Sequence, residues 1–130
     1  MQLDPFMHFL GFSGGITAPG EARLSAVVKP EFLNNWHSGH GGFLYALADS
    51  AFALAANSHG PLAVSLAGHI EHLQPCQAGD TLVAMAEEIS LTRRTGVYQV
   101  KILKGDTLIA LFTGTVYRKS PAHPPKEQQP

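Results

Sequence analysis

The segment HSGHGGFLYALADSAFALAAN, residues 37–57, decides how this chain of 130 residues folds. After a start rich in His and Gly it is apolar and rich in Ala, with large side chains pointing in several directions, which predicts a helix buried on more than one side. We expect the helix to run from near Gly41 to Asn57, with Asn57 as its C-cap. Its middle holds Asp49, the one formally charged side chain between Phe32 and Ile70. A lone carboxylate in so apolar a helix is either a buried cap or hydrogen-bond anchor, or a catalytic group.

The composition excludes several kinds of partner. The formal net charge is −1 and the pI is near 6.6, so no global field attracts nucleic acid or an anionic membrane. The single Cys76 excludes an internal disulfide and fits a reducing compartment. The N-terminus lacks the early Lys or Arg of a signal peptide, and the apolar run over residues 43–56 is too short to span a bilayer. We therefore expect a cytoplasmic protein with neither a nucleic-acid nor a membrane partner.

Five further segments have the alternation and the turn boundaries of β-strands. They are residues 21–28, 62–73, 81–91, 95–104 and 107–117. Short turns join the last four, which implies antiparallel pairing, and one helix can cover only one face of the sheet. The sequence thus predicts an α+β domain over residues 1–118, with the helix laid across one face. The Pro-rich tail, residues 119–130, is predicted to be disordered.

The N-terminal region carries two further signals. Residues 5–11 are predicted to form a short helix with Phe6, Phe9 and Leu10 on one face. The sequence GFSGG, residues 11–15, matches the G-x-S-x-G pattern of serine hydrolases. That motif acts at a strand-to-helix elbow of a large parallel sheet, and here we interpret it as a turn.

Five motifs occur in order along the chain: HGG, LADSAFALAAN, HLQPCQAGDTL, RRTGVY and ALFTGTV. With them, the chain from about residue 5 to residue 118 resembles the phenylacetate-pathway (PaaI-type) acyl-CoA thioesterases of the hotdog-fold superfamily. The resemblance implies a five-stranded antiparallel sheet wrapped around one long central helix, dimers that join their sheets, and commonly a homotetramer. It also implies hydrolysis of aryl-acetyl or medium-chain acyl-CoA thioesters without a cofactor.

The same resemblance implies roles for individual residues. Asp49 takes the position of the catalytic carboxylate, and Gly41 that of the backbone N–H that binds the thioester carbonyl. Asn34 lies where the family has an Asn near the reaction centre, and His40 matches the His before the glycine pair. The chain departs from the family at His37, where relatives commonly carry Gly or Gln, and this change affects the shape of the pocket entrance.

Elementary chemistry leads to the same residues. The first N–H groups of a helix have no intrahelical partner and carry partial positive charge, so they suit an oxygen that becomes negative during acyl transfer. Gly41 and Gly42 leave this backbone uncovered. Asp49 would either attack the carbonyl or activate water. Asn34, Ser50 and Ser65 are the candidate donors that keep this carboxylate ionised.

The spacing of Gly41 and Asp49 bears on assembly. Eight residues along a helix correspond to roughly 12 Å, so one carbonyl cannot contact both groups of a single chain. We predict a homodimer in which Gly41 of one chain meets Asp49 of an antiparallel neighbour across a two-fold axis.

Basic residues are concentrated near the C-terminus, since seven of the nine Lys and Arg residues follow position 92. Arg93, Arg94, Arg118 and Lys119 are candidates to bind the phosphates of coenzyme A, with a solvated surface as the alternative. Gly42 and Ser65 are the other predicted substrate contacts.

Two histidine pairs raise the question of a metal. His37 and His40 lie in a loop without a third ligand nearby in sequence, and His69 and His72 lie on a predicted strand, where they point to opposite faces. We therefore predict no metal site. His40 is interpreted as an orienting residue rather than a base, although a hotdog hydratase or dehydratase would use such a His. A non-catalytic acyl-CoA-binding module is the other alternative.

The remaining candidates concern side-chain packing. Trp36, Tyr45 and Phe52 are candidates for an aryl pocket, with a place in the core as the alternative. Cys76 follows a proline in a predicted turn, and we interpret it as structural rather than nucleophilic.

Overall fold

The computed structural model describes residues 1–119 of the chain. Most of the tail predicted to be disordered lies outside these residues. The elements in chain order are α1 (Pro5–Phe9), β1 (Ser13–Ala18), β2 (Glu21–Val27), a 3-10 turn (Pro30–Phe32), α2 (Gly41–Ala56), β3 (Ala63–His72), β4 (Thr81–Leu91), β5 (Thr95–Lys104) and β6 (Thr107–Arg118).

The strands form one antiparallel sheet in the order β1-β2-β4-β5-β6-β3. All five predicted strands are confirmed, but the sheet has six strands rather than five. The sixth is β1, which includes Ser13, Gly14 and Gly15, so the interpretation of this segment as a turn was wrong. Gly14 has φ +130°, and a Cβ on it would collide with the Arg23 carbonyl. The glycines that suggested a turn instead allow close approach to β2.

The long helix α2 packs across one face of the sheet, as predicted. Its buried residues lie around most of its circumference, and the inward side chains Ala22, Leu24 and Ala26 of β2 pack beneath it. Asn57 is the C-cap. Its amide nitrogen donates to the Ala53 and Ala63 carbonyls, and its Oδ1 accepts from the Ala63 N–H at 2.9 Å. The end of α2 is thereby joined to the start of β3.

The first helix differs from the prediction that Phe6, Phe9 and Leu10 lie together on one face. Met7 and Leu10 are buried, whereas Phe6 and Phe9 are 56% and 77% exposed. The helix has only five residues, and Asp4 caps it by accepting the Met7 N–H at 2.9 Å. This cap fixes where the helix begins. No helix of residues 1–119 is long and apolar enough to cross a membrane.

Strand β3 forms one edge of the sheet. It pairs only with β6 among the described strands. Almost all of its ten residues are exposed, including the apolar Val64 and Leu66. A long edge strand with apolar side chains is a surface on which another strand can pair.

Candidate active site

The first turn of α2 leaves one backbone donor without an acceptor. His40 is the N-cap, and its Nδ1 accepts the Gly42 N–H at 2.8 Å. The His40 carbonyl accepts from Phe43 and Leu44. Within residues 1–119, no acceptor faces the Gly41 N–H. Gly41 therefore offers a hydrogen bond to a ligand, and Gly42 does not.

Gly41 lines a cleft of about 360 Å³ between the start of α2, the loop before it and the end of β3. Its lining is Asn34, Ser38, Gly39, Gly41, Leu44, His72, Leu73, Gln74, Pro75 and Cys76. Two of the predicted site residues, Asn34 and Gly41, thus line the same cleft within one chain.

Asn34 organises the loop at the mouth of the cleft. Its Oδ1 accepts the Trp36 N–H at 2.8 Å and the Ser38 N–H at 3.1 Å. The tight loop places His37 at φ +62°, a conformation in which a side chain other than Gly is uncommon. No hydrogen bond from the Asn34 amide nitrogen is formed within the described chain, so this N–H₂ group remains available to the cleft.

His72 also lines the cleft and was not among the predicted site residues. On β3, Gly68 and Ile70 face the helix side, and alternation places His72 on that side too, whereas His69 and Glu71 form a 3.6 Å contact on the outer side. The His72 Nε2 lies 3.3 Å from the position that a Gly41 Cβ would occupy. The strand pattern predicted only that His69 and His72 point to opposite faces of the sheet. The approach of His72 to Gly41 depends on how β3 sits against α2.

Asp49 lies outside the cleft, two turns further along α2, about 12 Å from Gly41. It is half-buried, and burial, followed by the negative charge of Asp4, raises the pKa of its carboxyl. None of the predicted donors, Ser50, Ser65 or Asn34, forms a hydrogen bond with it, nor does any other described residue. One chain therefore does not bring the carboxylate to the Gly41 N–H.

The basic residues Arg93, Arg94 and Arg118, here called the basic cluster, lie at the opposite end of β3 from the cleft. Arg118 pairs with Ala63 at the start of that strand. Arg94 Nη1 donates to the Tyr117 hydroxyl at 2.9 Å, and Arg118 Nη1 donates to the Thr92 carbonyl at 2.7 Å. Nine residue steps of strand, from residue 63 to residue 72, separate this end from His72, or about 30 Å.

The other predicted substrate contacts are distributed unevenly. Ser65 is exposed on β3, two residues from the strand end that carries the basic cluster. Lys119 is exposed beyond β6, and its N–H donates to the Leu62 carbonyl. Phe52 belongs to the core, packed 5.4 Å from the ring of Phe112, and Trp36 is 79% exposed.

Cys76 is buried beneath the cleft. Burial raises the pKa of its thiol, and a Cβ at Gly39 would collide with its Sγ. The Gly39 N–H donates to the Cys76 carbonyl at 2.8 Å. This packing agrees with a structural role. Three or more potential metal-binding side chains do not cluster anywhere in residues 1–119.

Comparisons with known proteins identify what this chain is similar to. The family model of the Thioesterase superfamily matches residues 39–110. The acyl-coenzyme A thioesterase PaaI of Escherichia coli is 43% identical over 100 residues, covering 76% of this chain and 71% of that protein. A mutant of the phenylacetic acid degradation protein PaaI from Thermus thermophilus superposes with a TM-score of 0.86 at 48% identity, covering 89% of this chain and all of that one. A Streptococcus mutans protein bound to acetyl CoA gives a TM-score of 0.81 at 26% identity, with 86% and 91% coverage.

Proposed function

The chain belongs to the thioesterase superfamily, and we propose that it hydrolyses aryl-acetyl or medium-chain acyl-CoA thioesters to the free acid and coenzyme A. The observation that carries this proposal is Gly41, which lines a cleft and whose N–H has no acceptor within residues 1–119. A similar protein binds acetyl CoA, which supports a coenzyme A thioester as the substrate class.

The chemistry follows from where charge develops. When the thioester carbonyl is attacked, its oxygen becomes negative, and the Gly41 N–H at the positive end of α2 stabilises it. The Asp49 carboxylate supplies the attack, either directly on the carbonyl carbon or by taking a proton from water. In both routes the C–S bond breaks, coenzyme A leaves as the thiol, and water contributes the new oxygen of the acid.

A shared site explains why these groups lie apart in one chain. Two copies that pair their β3 edges antiparallel around a two-fold axis would bring the carboxylate of one α2 to the cleft of the other. The same pairing would carry the basic cluster of the partner toward the cleft, where it can bind the phosphates of coenzyme A. The exposed Val64 and Leu66 of β3 support this dimer, since pairing would bury them.

Two further assignments accompany this proposal. The outer face of the sheet exposes Val27, Met85 and Ile89, with exposures of 48%, 42% and 57%, which favours a homotetramer in which two dimers cover this face. The single, unpaired Cys76 favours the cytoplasm.

The test is turnover of a panel of acyl-CoA esters, followed with a reagent that detects the released thiol. We expect hydrolysis by the wild type and a loss of at least about 10²-fold in kcat for Asp49→Asn, because this change removes the nucleophile or base. Folding is checked by circular dichroism and thermal melting. Binding of acyl-CoA without any thiol release would contradict hydrolysis and identify a binding module. The cap that His40 Nδ1 forms supports hydrolysis over hydratase chemistry, because it gives this imidazole a positioning role at the start of α2.

A further inference from the structure

We propose that His72 is a second hydrogen-bond donor to the thioester carbonyl oxygen, acting beside the Gly41 N–H. This inference rests on the proposed thioesterase function and adds a residue to its site. Its starting point is that two groups from distant parts of the chain, one on α2 and one on β3, converge on one wall of the cleft.

The contact is an edge of the imidazole ring against a glycine. His72 Nε2 and Cε1 lie 3.3 and 3.5 Å from the position of a Cβ on Gly41, and no other heavy atom outside the immediate neighbours lies within 4 Å of that position. The missing side chain of Gly41 is therefore the space through which His72 reaches the start of the helix. Gly here serves two purposes, because it exposes its own N–H and admits the imidazole beside it.

The His72 side chain is also available to hydrogen-bond to a ligand. It is exposed and lines the cleft, and no hydrogen bond to it forms within residues 1–119. His40, the other imidazole at this helix start, differs because its Nδ1 is occupied by the Gly42 N–H. Of the two rings, only His72 combines an open nitrogen with a position in the cleft.

The proposed role requires no change of bonding at His72. A neutral imidazole protonated at Nε2 donates one hydrogen bond from that atom, and an imidazolium donates from both nitrogens. Either form stabilises an oxygen that gains negative charge as the tetrahedral intermediate forms. His72 keeps its proton throughout, while Asp49 carries out the attack.

The experiment compares His72→Phe, which removes the donor and keeps a ring, with His72→Gln, which keeps an N–H donor. His69→Phe is the matched control, since it removes a histidine from the outer face of the same strand. We expect kcat of His72→Phe to fall about 10²-fold with KM within about threefold of wild type, as for the loss of one oxyanion donor. The kcat of His72→Gln should stay within about tenfold of wild type, and the kcat of His69→Phe should equal that of wild type.

A second readout does not depend on turnover. An analogue with a CH₂ group in place of sulfur presents a ketone that is not hydrolysed, and a ¹³C label at this carbonyl reports hydrogen bonding through its chemical shift. We expect the resonance of the bound ketone to move upfield in His72→Phe and to keep its position in His72→Gln and His69→Phe. Wild-type kcat and an unchanged resonance in His72→Phe would overturn the inference, as would equal losses in the Phe and Gln variants.

These readouts separate the inference from the proposed function. If the wild type hydrolyses thioesters while His72→Phe is unaffected, the donor role of His72 fails and thioesterase function stands. If the wild type hydrolyses no ester but the ketone resonance still depends on His72, thioesterase function fails and the hydrogen bond stands.

Discussion

The separation of Gly41 from Asp49 on α2 gives a quantitative prediction about subunit mixing. We consider two variants, Gly41→Val and Asp49→Ala, each inactive as a homodimer. The valine of Gly41→Val fills the space between residue 41 and the His72 imidazole, so it blocks the approach of the thioester carbonyl to the backbone N–H. The alanine of Asp49→Ala removes the carboxylate. The two positions are about 12 Å apart along one helix. If each site takes its N–H from one chain and its carboxylate from the other, mixed dimers contain one intact site.

The magnitude follows from random exchange. Half of the dimers are then mixed and each has one good site of two, so activity should rise from near zero to about a quarter of wild type. Exchange is verified by native mass spectrometry and activity by thiol release. No recovery after verified exchange would refute the shared site.

A converse mixture provides the matched control. A chain with both substitutions is mixed in equal amounts with wild type, and both sites of a mixed dimer are then defective. Activity should fall on exchange from about half to about a quarter of an all-wild-type sample. A site contained within one chain would keep the activity at about half, so the two mixtures must change in opposite directions for the shared site to stand.

Three other predictions concern the carboxylate, the cleft floor and the basic cluster. The raised pKa of Asp49 means that folding favours its protonated form, so ionisation lowers wild-type stability as pH rises above the ordinary value of 3.8. Asp49→Asn should therefore have a higher free energy of urea unfolding than wild type at neutral pH, and this difference should disappear in acid. A difference that does not change with pH would show that it does not arise from ionisation of Asp49. Gly39→Ala should cost about 1–3 kcal/mol of stability, because its Cβ meets the Cys76 thiol, and much less in a Cys76→Ala background; additive losses in denaturant titrations would exclude the contact. Replacing the basic cluster by Ala should raise KM for a coenzyme A ester more than for the matching pantetheine ester, with a weaker effect at high salt; equal effects on both esters would remove the cluster from the phosphate site.

Local patterns in the sequence were sufficient to predict most of the fold. The ends of α2 and the alternation of β2 were predicted within a residue or two, because helix caps and inward-facing apolar side chains depend on short-range spacing. Strand β1 was missed because its glycines have low strand propensity, and its extended form depends on pairing with β2. The prediction that Phe6, Phe9 and Leu10 share one face of α1 was wrong, since only Leu10 is buried. A helix of five residues is too short for periodicity to identify a face.

The candidate site likewise has features that local sequence rules indicate and one that depends on the placement of distant elements. The cap by His40 and the open N–H of Gly41 follow from rules for helix ends, so the sequence indicates them directly. The approach of His72 to Gly41 depends on the placement of a strand more than 20 residues away in the chain, and no pattern within β3 encodes it. The resemblance to a family did not supply it either.

The order of the strands in the sheet also affects the order in which parts of the fold form. The strands β4, β5 and β6 follow one another and pair as neighbouring hairpins, which close rapidly because their contacts are local. Strand β3 precedes all three in the chain, yet its partner in the sheet is β6, the last to be synthesised. Until β6 exists, β3 has no place in the sheet. We therefore expect the edge that carries His72 to be among the last parts of the described fold to become ordered.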